Sequence, residues 1–159
     1  MQCDGSPSLG VNLGGSFHRG TYDDAGDYNL TILAADARLT WGPFELLGEY
    51  ATSHADIDRS AAPNAADSQR GAYAQANFHF GYDLFLSGSV FTAVTRWDWV
   101  DFDTDRQGDS EVGLTYGLNF LPMEDVVFKL DYNTTWKSPV DGGRGGGNGR
   151  FFFAVASYF

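Results

Sequence analysis

Apolar and polar residues alternate along most of this chain, and the alternation restarts about every twenty residues after a group of turn-forming residues. A period of two places successive side chains on opposite faces of an extended strand, so each repeat predicts a half-apolar β-strand. The first strand begins at Leu9, and the next two, 28–41 and 44–51, form a hairpin around Gly42 and Pro43. The remaining predicted strands span 72–80, 84–99, 111–120, 126–133 and 150–159.

Two of the predicted strands change phase, and the connections fall into two length classes. In strand two the apolar positions shift after Ile32, which predicts a β-bulge, and strand five shifts between Val90 and Phe91. The connections at one end, the turn end, are short. Those at the other end, the loop end, are long and polar or glycine-rich. The short turns are 42–43, 81–83 and 122–125, and the long loops include 52–69, 101–109 and 138–149.

This sorting of connections favours one architecture. A soluble β-sandwich has no reason to sort its turns, whereas a transmembrane β-barrel has short turns on one side, longer loops on the other and strands of about ten residues. The sequence therefore predicts an all-β, antiparallel, up-and-down transmembrane β-barrel with eight visible strands, as a single domain over 1–159. There is no run of roughly 18 apolar residues for a transmembrane helix and no signal-peptide pattern, so we expect a mature chain or a piece of a longer one.

Aromatic residues on the predicted apolar faces cluster near both strand ends. Two aromatic belts around an aliphatic band suit the two interfaces of a bilayer, which predicts membrane-interface residues. The alternatives are a soluble sandwich core or, with the apolar faces turned inward, a lipocalin-like carrier. The predicted belts are Trp41, Phe44, Phe80, Phe120 and Phe159 at the turn end, and Tyr28, Tyr50, Trp97, Trp99, Tyr132 and Phe151 at the loop end.

If the apolar faces meet lipid, the opposite faces line an interior. In a wide barrel, six carboxylates against three bases predict a water-filled channel with a weak cation preference. In a closed eight-stranded barrel the same side chains would fill the interior and conduct nothing. Cross-strand ion pairs are expected between Arg38 and Glu49 and between Arg96 and Glu111. The predicted lining is Asp36, Arg38, Glu45, Glu49, Gln75, Asn77, His79, Arg96, Asp98, Glu111, Asn119, Lys129, Asp131 and Asn133.

Charge and composition exclude several other functions. Ten Lys and Arg against 21 Asp and Glu disfavour nucleic-acid binding, and the single Cys3 excludes a disulfide framework. The three histidines and the absence of a Gly-x-Ser-x-Gly elbow point to no enzyme and no catalytic residue. The acidic segment 101–109 has Arg106 where a calcium loop needs glycine, so neither a metal site nor a cofactor is expected.

Several longer segments occur in an order and spacing that carry a family resemblance. They are Trp41-Gly-Pro-Phe-Glu-Leu-Leu-Gly-Glu-Tyr50, Ala93-Val-Thr-Arg-Trp-Asp-Trp-Val-Asp-Phe-Asp103, Leu114-Thr-Tyr-Gly-Leu-Asn-Phe-Leu-Pro122 and Asp125-Val-Val-Phe-Lys-Leu-Asp-Tyr132. Together with the terminal Phe159, which is similar to an outer-membrane C-terminal signal, they resemble bacterial outer-membrane porins of the phosphate-selective porin O and P type. The resemblance covers most of residues 33–159.

The resemblance implies a passive diffusion channel for small ions and hydrophilic solutes in the bacterial outer membrane. It also implies contact with the bilayer and lipopolysaccharide, and recognition of Phe159 by the insertion machinery. The resemblance is to porins with sixteen-stranded barrels, and it implies that the eight predicted strands correspond to the C-terminal half of such a barrel. Phosphate selectivity in the family rests on Arg and Lys lining the channel, so it does not carry over to this acidic chain. Homo-oligomerisation stays open, and the alternative is a self-closed eight-stranded barrel with a structural or adhesion role through its long loops.

Overall fold

The computed structural model describes residues 8–137 and 147–157, and within them every regular element is a strand. None of these residues forms a helix that is long and apolar enough to cross a membrane. The strands form one antiparallel sheet whose spatial order follows the sequence, which confirms the predicted all-β, up-and-down arrangement of eight strands. Their bounds are β1 (Leu9–Thr21), β2 (Asn29–Trp41), β3 (Phe44–Ala55), β4 (Ser68–Phe80), β5 (Val90–Asp101), β6 (Ser110–Met123), β7 (Val126–Lys137) and β8 (Gly147–Ser157).

The pairing register determines which residues share a face of the sheet. Directly opposite residues point to the same side, and side chains alternate sides along each strand. Following opposite pairs from β1 to β8 yields one face that is mainly apolar and one that is mainly polar, hereafter the apolar face and the polar face. Alternation in the sequence is thus translated into two continuous surfaces.

Both phase changes predicted from the sequence are wrong. β2 pairs in unbroken register with β1 and β3, so no bulge follows Ile32, and this residue lies on the polar face near the loop end. Strand five has no shift because it begins only at Val90. A register shift that was not predicted lies in β6 between Phe120 and Met123. Pro122, which has no N–H to donate to a ladder, lies within it.

The connections are sorted by length less sharply than predicted. At the turn end, 42–43 and 124–125 are short, but the β4–β5 connection runs over 81–89 instead of 81–83. At the loop end the described connections are 22–28, 56–67 and 102–109, because the strands continue into segments predicted as loops. Residues 138–146 of the predicted glycine-rich loop lie outside the described residues.

Over the described residues, the sheet has no aliphatic and aromatic core and both its edge strands lack an outer partner. Pro122 is buried, but no Ala, Val, Leu, Ile, Met, Phe, Trp or Tyr of the described residues is, and Leu13 and Phe151 are 79% and 76% exposed. Each strand contacts only the strands next to it in sequence, so β1 and β8 do not touch within the described part of the chain. β8 is exposed at every residue. Pairing of β1 with β8, which would close the eight strands into a barrel, is therefore absent from these residues.

Candidate pore lining and apolar band

The apolar face carries an uncharged band nine residues long on the inner strands. Nine residues is about the length that a tilted transmembrane strand needs. Among the described residues, Asp, Glu, Lys and Arg occur on this face only near the loop end, at Arg19, Arg70 and Asp101. The band consists of the residues of the apolar face within 33–41, 44–52, 72–80, 91–99, 112–120 and 128–136.

A continuous row of aromatic rings, hereafter the aromatic row, crosses the turn end of the apolar face. Consecutive ring centroids lie 4.5 to 6.4 Å apart, within the range of favourable aromatic pairs. The row includes three residues that the sequence did not assign to a belt, although alternation placed them on this face. Phe159 lies outside the described residues. The members are Trp41, Phe44, Phe78, Phe80, Phe91, Phe120 and Phe128.

The aromatic residues of the loop end are more scattered. The rings of Tyr132 and Phe151 lie 4.6 Å apart, and the Arg70 guanidinium lies 5.4 Å from the centre of the Trp99 ring. Tyr28 precedes β2 and belongs to the 22–28 loop. The register places the others predicted here on the apolar face: Tyr50, Trp97, Trp99, Tyr132 and Phe151.

The residues predicted to line an interior all lie on the polar face. The register also places Lys137 and Arg150 there, which the sequence-based lining omitted. The net charge of this face over the described strands is therefore −1 instead of −3. The predicted lining residues on this face are Asp36, Arg38, Glu45, Glu49, Gln75, Asn77, His79, Arg96, Asp98, Glu111, Asn119, Lys129, Asp131 and Asn133.

Glu45 is the centre of a hydrogen-bonded network at the turn end of the polar face. Glu45 is 7% exposed, and its carboxylate accepts hydrogen bonds from Arg38 Nε and from Asn77 Nδ2, the latter at 2.7 Å. His79 Nε2 lies 3.8 Å from the same carboxylate, and His79 Nδ1 lies 2.9 Å from Thr92 Oγ1. Three neighbouring strands are thus tied together by one buried acid, which gives Glu45 a structural role.

Arg38 pairs with Glu45 and not with Glu49, contrary to the expectation from the sequence. The register puts Arg38 opposite Leu47 and so diagonal to both acids. Glu49 lies directly opposite Asp36, and like charges in that position destabilise a sheet. Among the described residues neither of these two acids forms an ion pair. Asp36 and Glu49 are therefore an uncompensated negative pair on the polar face.

A cavity of about 430 Å³ opens on the polar face between β3 and β7. Arg96 lies in its wall, 2.7 Å from Asp98 and 3.8 Å from the centre of the Tyr73 ring. The expected pairing of Arg96 with Glu111 is wrong, because Glu111 lies opposite Lys137, whose Nζ is 3.7 Å from the Glu111 carboxylate. The cavity is thus bordered by a fixed cation, an aromatic ring and several carboxylates.

The described loops at the loop end are strongly acidic. Between them, 22–28, 56–67 and 102–109 hold nine Asp and two Arg. Some of these acids hold the loops together: Asp103 is 9% exposed, accepts the Asp105 N–H at 3.1 Å and lies 3.3 Å from Arg106. No cluster of three or more potential metal ligands occurs in the described residues.

Hydrogen bonds hold several loop carboxylates in the charged form. The side-chain amide and backbone N–H of Asn29 lower the pKa of Asp56 below its ordinary value. Arg59, 2.6 Å from the carboxylate, lowers the pKa of Asp67 in the same way. A carboxyl group with a depressed pKa contributes stability above its unfolded-state pKa, and this contribution is lost as pH falls through the folded-state value. The loop contacts therefore persist into mildly acidic conditions.

Replacing Asn29 by alanine should raise the pKa of Asp56 towards its ordinary value, because the side-chain amide donor is removed while the backbone N–H of residue 29 remains. Carboxyl carbon chemical shifts, followed by NMR as pH is lowered in detergent micelles, would measure the midpoint. Asp67 is the internal control, since Arg59 and not Asn29 holds it, and its midpoint should not move. An unchanged Asp56 midpoint would contradict the role assigned to Asn29.

Comparison of this chain with protein-family models, with curated proteins and with solved structures found no match. Function must therefore be inferred from the two faces and the loops themselves.

Proposed function

We propose that this chain forms the wall of a porin-type passive channel for small ions and hydrophilic solutes in the bacterial outer membrane. The observation that carries the proposal is the exposed apolar face combined with the absence of a buried core of aliphatic and aromatic side chains among the described residues. Large contiguous apolar surfaces are rare on soluble monomers and mark contact with lipid or protein. A soluble lipocalin-like carrier would instead turn this face inward and bury it. Lipid is the solvent that suits the uncharged band.

The polar face favours a wide interior over a packed one. In a closed eight-stranded barrel, side chains from opposite walls meet and fill the space. Within the described residues, contacts run only between strands that are neighbours in sequence, and the cavity beside Arg96 is open. This favours a channel over the small closed barrel with a structural or adhesion role.

The free edges imply that the pore contains more strands than these eight. Within lipid every backbone N–H and C=O needs a protein partner, so an open sheet edge is not tolerated. β1 and β8 would therefore each pair with a further strand, which agrees with the larger barrel implied by the porin resemblance. In this proposal the acidic loops face lipopolysaccharide, and Phe159 presents the chain to the insertion machinery.

The proposed cation preference has two sources. One is the Asp36–Glu49 pair on the polar face, where two like charges lie directly opposite each other. The other is the excess of Asp in the loops, whose field raises the local concentration of cations at that entrance. The overall charge of the polar face, being nearly balanced, supports only a weak preference.

Neutralising the pair in an Asp36→Asn, Glu49→Gln double variant should move the cation-to-anion permeability ratio towards unity while conductance persists. The sheet should also be more stable by roughly 0.2–1 kcal/mol, because like-charge repulsion across the ladder is removed. Zero-current potentials in planar bilayers under a salt gradient measure the ratio, and denaturant midpoints measure stability. Asp125→Asn, in the 124–125 turn, is the matched control.

Two results would count against these assignments in different ways. Unchanged selectivity in the double variant would remove the role of Asp36 and Glu49 and leave the channel itself standing. Absence of single-channel steps from the reconstituted parent chain at every protein-to-lipid ratio, or clear anion selectivity, would count against the proposed function.

A further inference from the structure

The β4–β5 connection, 81–89, displays apolar side chains where the other turns are short. Four of its side chains, hereafter the apolar tip, are exposed: Tyr82, Leu84, Phe85 and Leu86, with exposed fractions of 61%, 64%, 67% and 50%. The neighbouring turn at the same end, 124–125, consists of Glu and Asp instead. The tip is therefore a local apolar surface outside the strands.

The backbone of this connection is held by its own hydrogen bonds. The Asp83 N–H donates to the Ser89 carbonyl at 2.9 Å, and the Ser89 N–H donates to the Leu86 carbonyl at 2.9 Å. The Ser89 side chain is buried, with 1% exposed, and its hydroxyl oxygen accepts the Leu86 N–H at 3.3 Å. These hydrogen bonds thus hold the backbone of the connection in the conformation that exposes the apolar tip.

Asp83, the single charged residue of the connection, is hydrogen-bonded to the backbone of the same connection. The Asp83 carboxylate accepts the Gly88 N–H at 2.6 Å, and Asp83 and Gly88 both have positive φ angles, 57° and 85°. Gly88 adopts this conformation without strain because it lacks a Cβ. Asp83 and Tyr82 are the only residues in 81–89 with ionisable side chains. Little charge is therefore presented beside the exposed apolar side chains.

The tip continues the aromatic row beyond the strand ends. The Phe85 ring meets Phe91 and Phe120 edge-on, with centroids 5.9 Å and 6.1 Å away. Phe91 and Phe120 belong to the aromatic row, so the connection bends towards the apolar face and away from the polar face. Phe85 therefore shares its surroundings, lipid or water, with the aromatic row.

We propose that the apolar tip inserts into the lipid at the turn-end interface of the membrane and anchors this end of the sheet there. The inference rests on the proposed function, since it takes the apolar face to be in lipid. Aromatic side chains with apolar neighbours favour the boundary between headgroups and acyl chains. Continuity with the aromatic row and engagement of Asp83 by the backbone favour lipid as the occupant over a polar protein surface.

Nitroxide labels on single cysteines in the full chain test this, in a Cys3→Ser background reconstituted in phosphatidylcholine vesicles. Labels at Phe85→Cys and Leu86→Cys probe the tip, Leu118→Cys probes the band, and Glu124→Cys is the matched control in the neighbouring turn. Collision rates with oxygen, which enters lipid, are compared with those of a water-soluble nickel chelate. The oxygen-to-nickel ratio at the tip should be several-fold higher than at 124 and close to that at 118.

The outcomes separate this inference from the proposal on which it rests. Tip labels that behave like 124, while 118 behaves as in lipid, would overturn the tip inference and leave the membrane-facing band standing. A label at 118 that behaves as in water would overturn the proposed function and the tip inference with it. Spectral broadening from close approach of two labels at 85 would show that another copy, and not lipid, covers the tip. Agreement between the labels at 85 and 86 guards against a local effect of one substitution.

Discussion

Arginine in place of Leu46 should destabilise insertion of the sheet into a bilayer, whereas arginine in place of the adjacent Leu47 should be tolerated. The two leucines are neighbours on β3 and differ in face: Leu46 is 52% exposed on the apolar face, opposite Leu39, whereas Leu47 lies on the polar face. An arginine facing lipid costs about 2–4 kcal/mol at the middle of the band and less towards its edges. At 47 the new guanidinium would lie between Glu45 and Glu49, which offsets the repulsion from Arg38 opposite.

The measurement is the folded fraction after dilution from urea into phosphatidylcholine vesicles, read from the heat-resistant band shift on a gel and from tryptophan fluorescence. A lower folded fraction for Leu46→Arg with near-normal folding of Leu47→Arg is the expected pattern. The reverse pattern would assign the interior to the apolar face, as in a soluble carrier. Equal tolerance of both variants would contradict a lipid-facing band altogether.

The two faces could be predicted from the sequence because a period of two maps directly onto side-chain direction. Leu46 and Leu47 illustrate this, since their neighbours alternate strictly. The alternation misleads where apolar residues lie on the polar face: Ile32 indicated a phase change, although β2 continues without a bulge. It misleads again at Leu84 and Leu86, whose apolar character predicted a strand, although they belong to the β4–β5 connection.

The ion pairs could not be predicted, because they depend on which diagonal neighbour a long side chain selects. Arg38 is diagonal to both Glu45 and Glu49 in the register, and it pairs with Glu45, which also accepts a hydrogen bond from Asn77. Strand ends were underestimated for a related reason. Polar residues at the loop end, such as those at 52–54, continue the ladder through backbone hydrogen bonds, which carry no apolar signal.

The free edges predict that the 159-residue chain conducts only as an assembly in which β1 of one copy pairs with β8 of another. β1 and β8 run antiparallel to each other, because an up-and-down sheet with an even number of strands ends in the opposite direction. Two copies can therefore join with all short turns at one end. A seam that keeps the apolar face continuous pairs odd-numbered residues of β1 with odd-numbered residues of β8, since these carry the apolar face on both strands. Leaving the thirteen-residue edge of β1 unpaired in lipid would cost several kcal/mol for each unsatisfied group.

Cysteine cross-linking decides between this assembly and self-closure. In a Cys3→Ser background, Leu13→Cys is combined in turn with cysteine at 151, 153 or 155, because a disulfide forms only where the two Cβ atoms come within about 4.5 Å. Oxidation in vesicles should produce covalent dimers, and conductance should follow the dimer fraction. Variants with a single cysteine are the control, because they form covalent dimers only if β1 pairs with β1, or β8 with β8, of another copy. A cross-link within one chain, without conductance, would establish a closed eight-stranded barrel and contradict the channel. Absence of both cross-link and conductance would contradict the assembly of copies and count against the proposed channel.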